Sequence, residues 1–300
     1  MEYGQKCYSE NNQLLNQKLE EKKHLIAVHR GSWAGNIIQS TIPAFICSFK
    51  MGADMVECDV NRTTDGVLFS FHDGYEQEVL GVSKSIKQMT AAEVEACHPH
   101  NTARLQNKAP INRVRDILEW LPADKLINLD RAWDIFPYLL EELDRHPNAV
   151  RQVVLKSSVR GEFHGVPVAE ALDALRGHPV KYMYMPICYN RQDVETALSL
   201  MDQGINVVGC ELIAGTEADE LYQDETIAYL HQHRLFAWVN AIQLGNYERM
   251  PLYGPLDDDI SLIDDPDKGW GELFRKGIDI IQTDWPGILY QYRQEKLGVR

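Results

Sequence analysis

DMVECDVNRTTDGVLFSFHDG, residues 54–74, reads as strand, tight turn, strand. Two apolar runs, 55–60 and 67–72, flank Asp65-Gly66, a dipeptide that ordinarily makes a hairpin turn. Side chains alternate along a strand, so Glu57 and Asp59 share one side while Val56, Cys58 and Val60 occupy the other. The apolar side suits burial against helices. The two carboxylates then point into the space that the strand helps to enclose, near its mouth.

Outward from this hairpin, short apolar runs alternate with amphipathic stretches. Further strands are expected at 25–30, 126–131, 153–157, 181–188, 206–212, 235–240 and 279–283. Helical spacing of apolar residues lies between most of them, clearest at 134–146, 166–177, 191–204 and 224–233. Such alternation means βαβ units and a parallel sheet. Eight units with one extra hairpin strand fit a closed (β/α)8 TIM barrel. A doubly wound sheet would carry a glycine-rich nucleotide turn after its first strand. HRGSWAGN (29–36) has glycines, but no GxGxxG and no helix start. The expected organisation is a polar N-terminal extension, 1–23, and a single barrel domain, 24–300. Two long segments, 74–112 and the acidic 241–268, follow strands and belong at the C-terminal face, where barrel active sites are built.

Composition narrows the function. The formal net charge of −14 and the absence of a Lys/Arg run argue against nucleic acid and against docking on anionic lipid. An acidic protein that handles an anionic substrate must supply positive charge locally, from a cation or a few placed basic residues. None of the six cysteines forms a CxxC pair, which suits a reduced, cytoplasmic setting. The N-terminus has no apolar signal core, and no long uncharged apolar run exists, so no stable membrane insertion is expected. Oligomeric state is not encoded legibly.

The chemistry-bearing residues fall at strand ends: His29-Arg30, Glu57 and Asp59, His72-Asp73, Asp130-Arg131 and Lys156. If Asp130 joins Glu57 and Asp59, three negative charges crowd one mouth. Two charges roughly 4 Å apart repel by about 4 kcal/mol at an effective dielectric near 20. Either one acid is protonated or a cation sits between them, and an all-oxygen set favours Mg²⁺ or Ca²⁺ over Zn²⁺. Taken singly, each residue has an ordinary structural explanation. The concentration of all of them at strand C-termini does not.

In the order His29-Arg30-Gly31, Glu57-x-Asp59, Asp65-Gly66 and His72-Asp73, with Trp238-Val239-Asn240 and Thr283-Asp284-Trp285-Pro286 later, the chain resembles the glycerophosphodiester phosphodiesterase family, a TIM barrel of the PLC-like phosphodiesterase type. The resemblance spans about residues 24–290. It implies that Glu57 and Asp59 bind a divalent metal, with Asp130 where the family usually has a Glu. It implies that His29 and His72 are the acid/base pair and that Arg30 contacts phosphate, with Trp238 on the substrate side. Three departures stand out, the first being the long 241–268 segment, which is unlike a minimal family member. Only Asn36 survives from the family's Pro-Glu-Asn-Thr run, and the family's lysine two residues past the third acid is Ala132 here. Arg131 is expected to face away from the site if its strand continues. Lys156, sharing a strand face with Val154, is the expected replacement charge.

The reaction expected is metal-dependent hydrolysis of a small-molecule glycerophosphodiester to glycerol phosphate and an alcohol. A lysophospholipase D-like or cyclising lipid phosphodiesterase is the alternative, and a non-catalytic binding protein on the same fold is a further one.

Overall fold

The computed structural model describes residues 1–101, 110–244 and 250–299. Parts of the expected 74–112 and 241–268 segments therefore lie outside the described residues. The strands are β1 (Leu25–Val28), β2 (Met55–Arg62), β3 (Leu68–Ser70), β4 (Leu126–Asp130), β5 (Val153–Ser158), β6 (Glu162–Phe163), β7 (Val166–Pro167), β8 (Met183–Cys188), β9 (Gly209–Leu212), β10 (Phe236–Asn240) and β11 (Ile280–Thr283).

Parallel pairing runs β1-β11-β10-β9-β8-β5-β4-β2 and closes through β1 and β2. Eight parallel strands with helices between them make a complete (β/α)8 barrel, as the alternation implies. β3 adds antiparallel to β2, with Val60 opposite Ser70 and Arg62 opposite Leu68. Gly66 in the connecting turn has φ +91°, a conformation that glycine adopts without strain.

Strand alternation sorts the core into two layers. Ile26, Val56, Cys58, Leu129 and Leu155 face outward and pack with helix residues such as Phe45, Leu139 and Val194. Ala27, Met55, Val154, Met183, Phe236 and Trp238 face inward and fill the lower barrel. A Cβ at Gly209 would lie 2.2 Å from the Phe236 ring, so a bare backbone there is what admits that ring to the interior. The segment expected as a polar extension carries the helix Gln13–Lys22. Its Leu15 and Leu19, with Tyr3, join the inward cluster and floor the barrel. Asn12 and Asn206 exchange side-chain hydrogen bonds at 3.1 and 2.8 Å, fixing that floor to the wall. On the far side, fully buried Arg293 of the helix Pro286–Leu297 donates to Asp54 at 2.6 Å.

Candidate active site

The register of β2 and β4 sets Asp59 directly opposite Asp130. With inward alternation, that register converges three acids at the upper rim. Oxygens of Glu57, Asp59 and Asp130 lie within 4.8 Å of one another. Glu57 and Asp59 are buried. Glu57 Oε2 accepts a hydrogen bond from the Arg30 backbone N–H at 3.0 Å, while Glu57 Oε1 has no hydrogen-bond partner. Burial, and then the charges of Asp59 and Asp130, push the Glu57 carboxyl well above its usual range. A buried carboxylate oxygen without a donor is costly. An oxygen-rich, anionic, under-satisfied cluster of this kind fits a hard divalent cation.

Past β1 the chain turns sharply. Arg30 has φ +54° and Gly31 φ +73°, and a Cβ at Gly31 would meet Phe45 at 2.8 Å and Ala44 at 2.9 Å. The turn therefore lies tight against the helix Ile42–Lys50. It folds Arg30 over the mouth, with Nε 3.2 Å from Asp59 Oδ2 and Nη1 donating to Gln39 Oε1 at 2.9 Å. His29 Nδ1 sits 3.6 Å from Asp284 Oδ1. Asp284 is held in turn by Asp258, whose carboxylate accepts from the Asp284 N–H at 2.9 Å, Thr283 Oγ1 at 2.8 Å and Trp270 Nε1 at 2.9 Å. Burial pushes the Asp258 carboxyl up to about 7 against those bonds. One role of the acidic 241–268 segment is thus visible: it buttresses the turn beside His29.

His72 Nδ1 lies 2.6 Å from the Asp73 carbonyl oxygen. A carbonyl only accepts, so Nδ1 carries the proton and Nε2 keeps its lone pair. Burial lowers the His72 pKa, opposed by Asp59. The Asp73 carboxylate pairs with Arg131 at 3.2 Å and with His164 Nε2 at 3.0 Å. Arg131 does not face away from the site as a continuing strand would require. The strand stops at Asp130, and Arg131, at φ +52°, turns its guanidinium toward Asp73. Ala132 is buried in the outer layer.

Lys156 Nζ stands between Asp130 Oδ2 at 2.6 Å and Glu211 Oε2 at 3.1 Å. Trp238 is fully buried, its ring centroid 6.0 Å from Lys156 Nζ and its Nε1 donating to Asn240 Oδ1 at 2.9 Å. It forms a floor one layer below the open mouth.

Residues 29–211 match the model of the glycerophosphoryl diester phosphodiesterase family. The chain belongs to that family. Residues 184–293 also match a domain of unknown function. Among solved structures, a glycerophosphoryl diester phosphodiesterase from Parabacteroides distasonis aligns over 92% of this chain and 87% of its own at 18% identity and TM-score 0.68. A glycerophosphodiester phosphodiesterase from Agrobacterium tumefaciens covers 89% and 99% at 19% identity and TM-score 0.62. An Oleispira antarctica phosphodiesterase in complex with the product sn-glycerol-3-phosphate covers 91% and 97% at 13% identity and TM-score 0.63. These likenesses show a shared fold. Among curated sequences, the uncharacterized protein YqiK of Bacillus subtilis is 29% identical over 38% of this chain and 47% of its own length. A glycerophosphodiester phosphodiesterase of Caldanaerobacter subterraneus is 34% identical over 24% and 30%. The chain thus spans less than half the length of either curated relative.

Membership in this family gives the strand-end cluster its context. Two members of the cluster escaped the reading by residue type. Glu211 is the one charged residue in the run INVVGCEL (205–212), which was the available signal. Asp284 stood inside a recognised motif without a role. No helix among the described residues is long and apolar enough to cross a membrane.

Proposed function

We propose that this chain hydrolyses a glycerophosphodiester to glycerol phosphate and an alcohol, with Mg²⁺ or Ca²⁺ held by Glu57, Asp59 and Asp130. The observation that carries the reading is three carboxylates gathered within 4.8 Å at the same rim as Arg30 and two histidines. When bound, the cation would neutralise phosphoryl oxygens as negative charge builds. Arg30, braced by Gln39, orients the phosphate from the open side. Lys156 adds positive potential from beneath, with its ammonium 6.0 Å from the centre of the Trp238 ring. His72, with its proton on Nδ1, is the base: Nε2 takes the proton of the attacking hydroxyl. His29, backed by Asp284, is the acid that protonates the departing alkoxide. In the version we favour, the attacker is the substrate's own neighbouring hydroxyl. Its oxygen bonds to phosphorus as the bond to the alcohol breaks, and water then opens the cyclic phosphate with the two histidine roles reversed. The six free cysteines suit the reducing, cytoplasmic setting that we assign.

Turnover of a glycerophosphodiester panel with and without chelator tests this. The expected result is activity that disappears on chelation and returns with Mg²⁺ or Ca²⁺. Chelator-insensitive turnover would remove the metal from the scheme, and no turnover of any member would remove the reaction.

A further inference from the structure

A fourth buried acid stands inside the barrel beside the three at its rim. Cys210 and Leu212 of β9 pack in the outer layer, so Glu211 between them faces the interior, level with Trp238 of β10. Glu211 Oε1 accepts from Asn240 Nδ2 at 2.5 Å, and Glu211 Oε2 lies 3.1 Å from Lys156 Nζ. The far end of this chain fixes its direction. An indole N–H only donates, so Trp238 Nε1 takes Asn240 Oδ1 and turns the amide N–H toward Glu211. One carboxylate oxygen therefore meets a donor and the other meets an ammonium. Across that ammonium, Asp130 Oδ2 stands 2.6 Å from Nζ.

Asp130 is already engaged on both oxygens, since its Oδ1 accepts from the Arg131 backbone N–H at 2.6 Å. A cation that needs Asp130 must compete with Lys156 for it. The pair Lys156–Asp130 would by itself neutralise the buried ammonium. A second acid on the same ammonium adds an ion to desolvate and brings negative charge closer to Glu57 and Asp59. Neutralising Lys156 does not require it. What Glu211 changes is the balance at Asp130, because the ammonium is divided between two acids instead of held by one. With all six groups ionised, Glu57, Asp59, Asp130 and Glu211 against Arg30 and Lys156 leave two negative charges, the charge of one divalent cation. Without Glu211 one negative charge is left.

We infer that Glu211 is a positioning residue for the cation site: it draws Lys156 off Asp130, so that Asp130 can serve as a ligand. The inference rests on the reading of Glu57, Asp59 and Asp130 as cation ligands and gives a task to an acid outside that set. Glu211 acts through Lys156. It supplies the ammonium with a counter-charge as the cation takes Asp130, and Trp238 and Asn240 hold it in the orientation that does so.

A double-mutant cycle tests it, read by calorimetric titration of Mg²⁺ and of Ca²⁺ into the metal-free full chain. Glu211→Gln should weaken binding by about 10–100-fold while Lys156 is present, the usual worth of a partner that orients a metal ligand. In the Lys156→Met background no ammonium competes for Asp130. There the same substitution should weaken binding by at least about five-fold less, a coupling typical of residues in contact. Glu211→Asp keeps the charge but sets it one methylene back from Lys156. Its loss should be smaller and should again depend on Lys156, and this variant carries the cycle if Glu211→Gln does not unfold cooperatively. Equal losses in the two backgrounds would make Glu211 a charge that acts without Lys156 and overturn the inference. Unchanged affinity in the variant that carries the cycle overturns it as well. A wild-type chain that binds neither ion removes the cation site itself and this inference with it, whereas binding with an additive cycle removes the inference alone.

Discussion

Glu57 shows what single residues contribute here. It is buried beside two other acids, with one oxygen lacking a hydrogen-bond donor. Folding alone gains nothing from that arrangement. Glu57→Gln keeps the shape and removes one charge, so the two roles should separate. In the metal-free protein the melting temperature should hold or rise by a few degrees as repulsion is relieved. Chelator-sensitive activity should fall by at least 100-fold, a loss of about 2.7 kcal/mol of transition-state stabilisation. A drop in both stability and activity would mark Glu57 as a structural acid. The histidines predict the same separation of activity from stability. His29→Ala and His72→Ala should each lower kcat by about 10²–10⁴-fold, the usual weight of general acid–base catalysis, with unfolding still cooperative. Near wild-type turnover in either variant would dismiss its role.

At the scale of elements, strands were the most legible feature, because each buries one apolar side and Val56, Cys58 and Val60 against Glu57 and Asp59 can be sorted by parity alone. Where parity ends, legibility ends. Arg131 was misdirected because nothing in LINLDR announces that the strand stops one residue earlier in a left-handed turn. The hairpin β6–β7 turns through His164 and Gly165 at φ +51° and +78°, a tight two-residue loop made without the familiar Asn-Gly. Its first strand lies where no element was expected, its second takes the first two residues of the expected helix 166–177, and its turn brings His164 to Asp73. Glu211 went unremarked because its meaning depends on Lys156, a partner on another strand that no local pattern identifies. The N-terminal helix has only Leu14, Leu15 and Leu19 to declare itself, too few apolar positions among polar ones to signal burial. Its tie to the wall yields a pH prediction. Asp279 accepts from the Tyr3 hydroxyl and the Ala237 N–H, and its bond to His231 Nε2 raises the His231 pKa against the effect of burial. A raised pKa in the folded state means that this stabilisation is complete below about pH 6.5 and is lost as pH climbs through the folded value. The melting temperature should therefore decline from pH 6 to pH 8 more in the wild type than in His231→Gln. The difference should be on the order of 1–3 °C, kept small by solvent screening of a part-exposed ring. Parallel pH profiles for the two proteins would dismiss the linkage.

Across the whole molecule, the barrel closes only where distant segments meet. Leu25 pairs with Ile280, Val28 with Thr283, and Arg293 locks onto Asp54. His29 likewise finds Asp284 only through that closure. On the ribosome, where synthesis is directional, β1 emerges early and must wait for β11 with one edge unpaired. An unpaired edge can template pairing with another chain. Nascent chains arrested near residue 270, before β11 exists, should then be cut readily by protease and should sediment, whereas chains extending through Leu297 should resist both. Protection already present in the shorter chains would mean that the half-built barrel is self-sufficient. If it is not, the cell must shelter this protein for nearly the whole time it takes to make it, and the pocket at the barrel mouth is among the last parts to come into being.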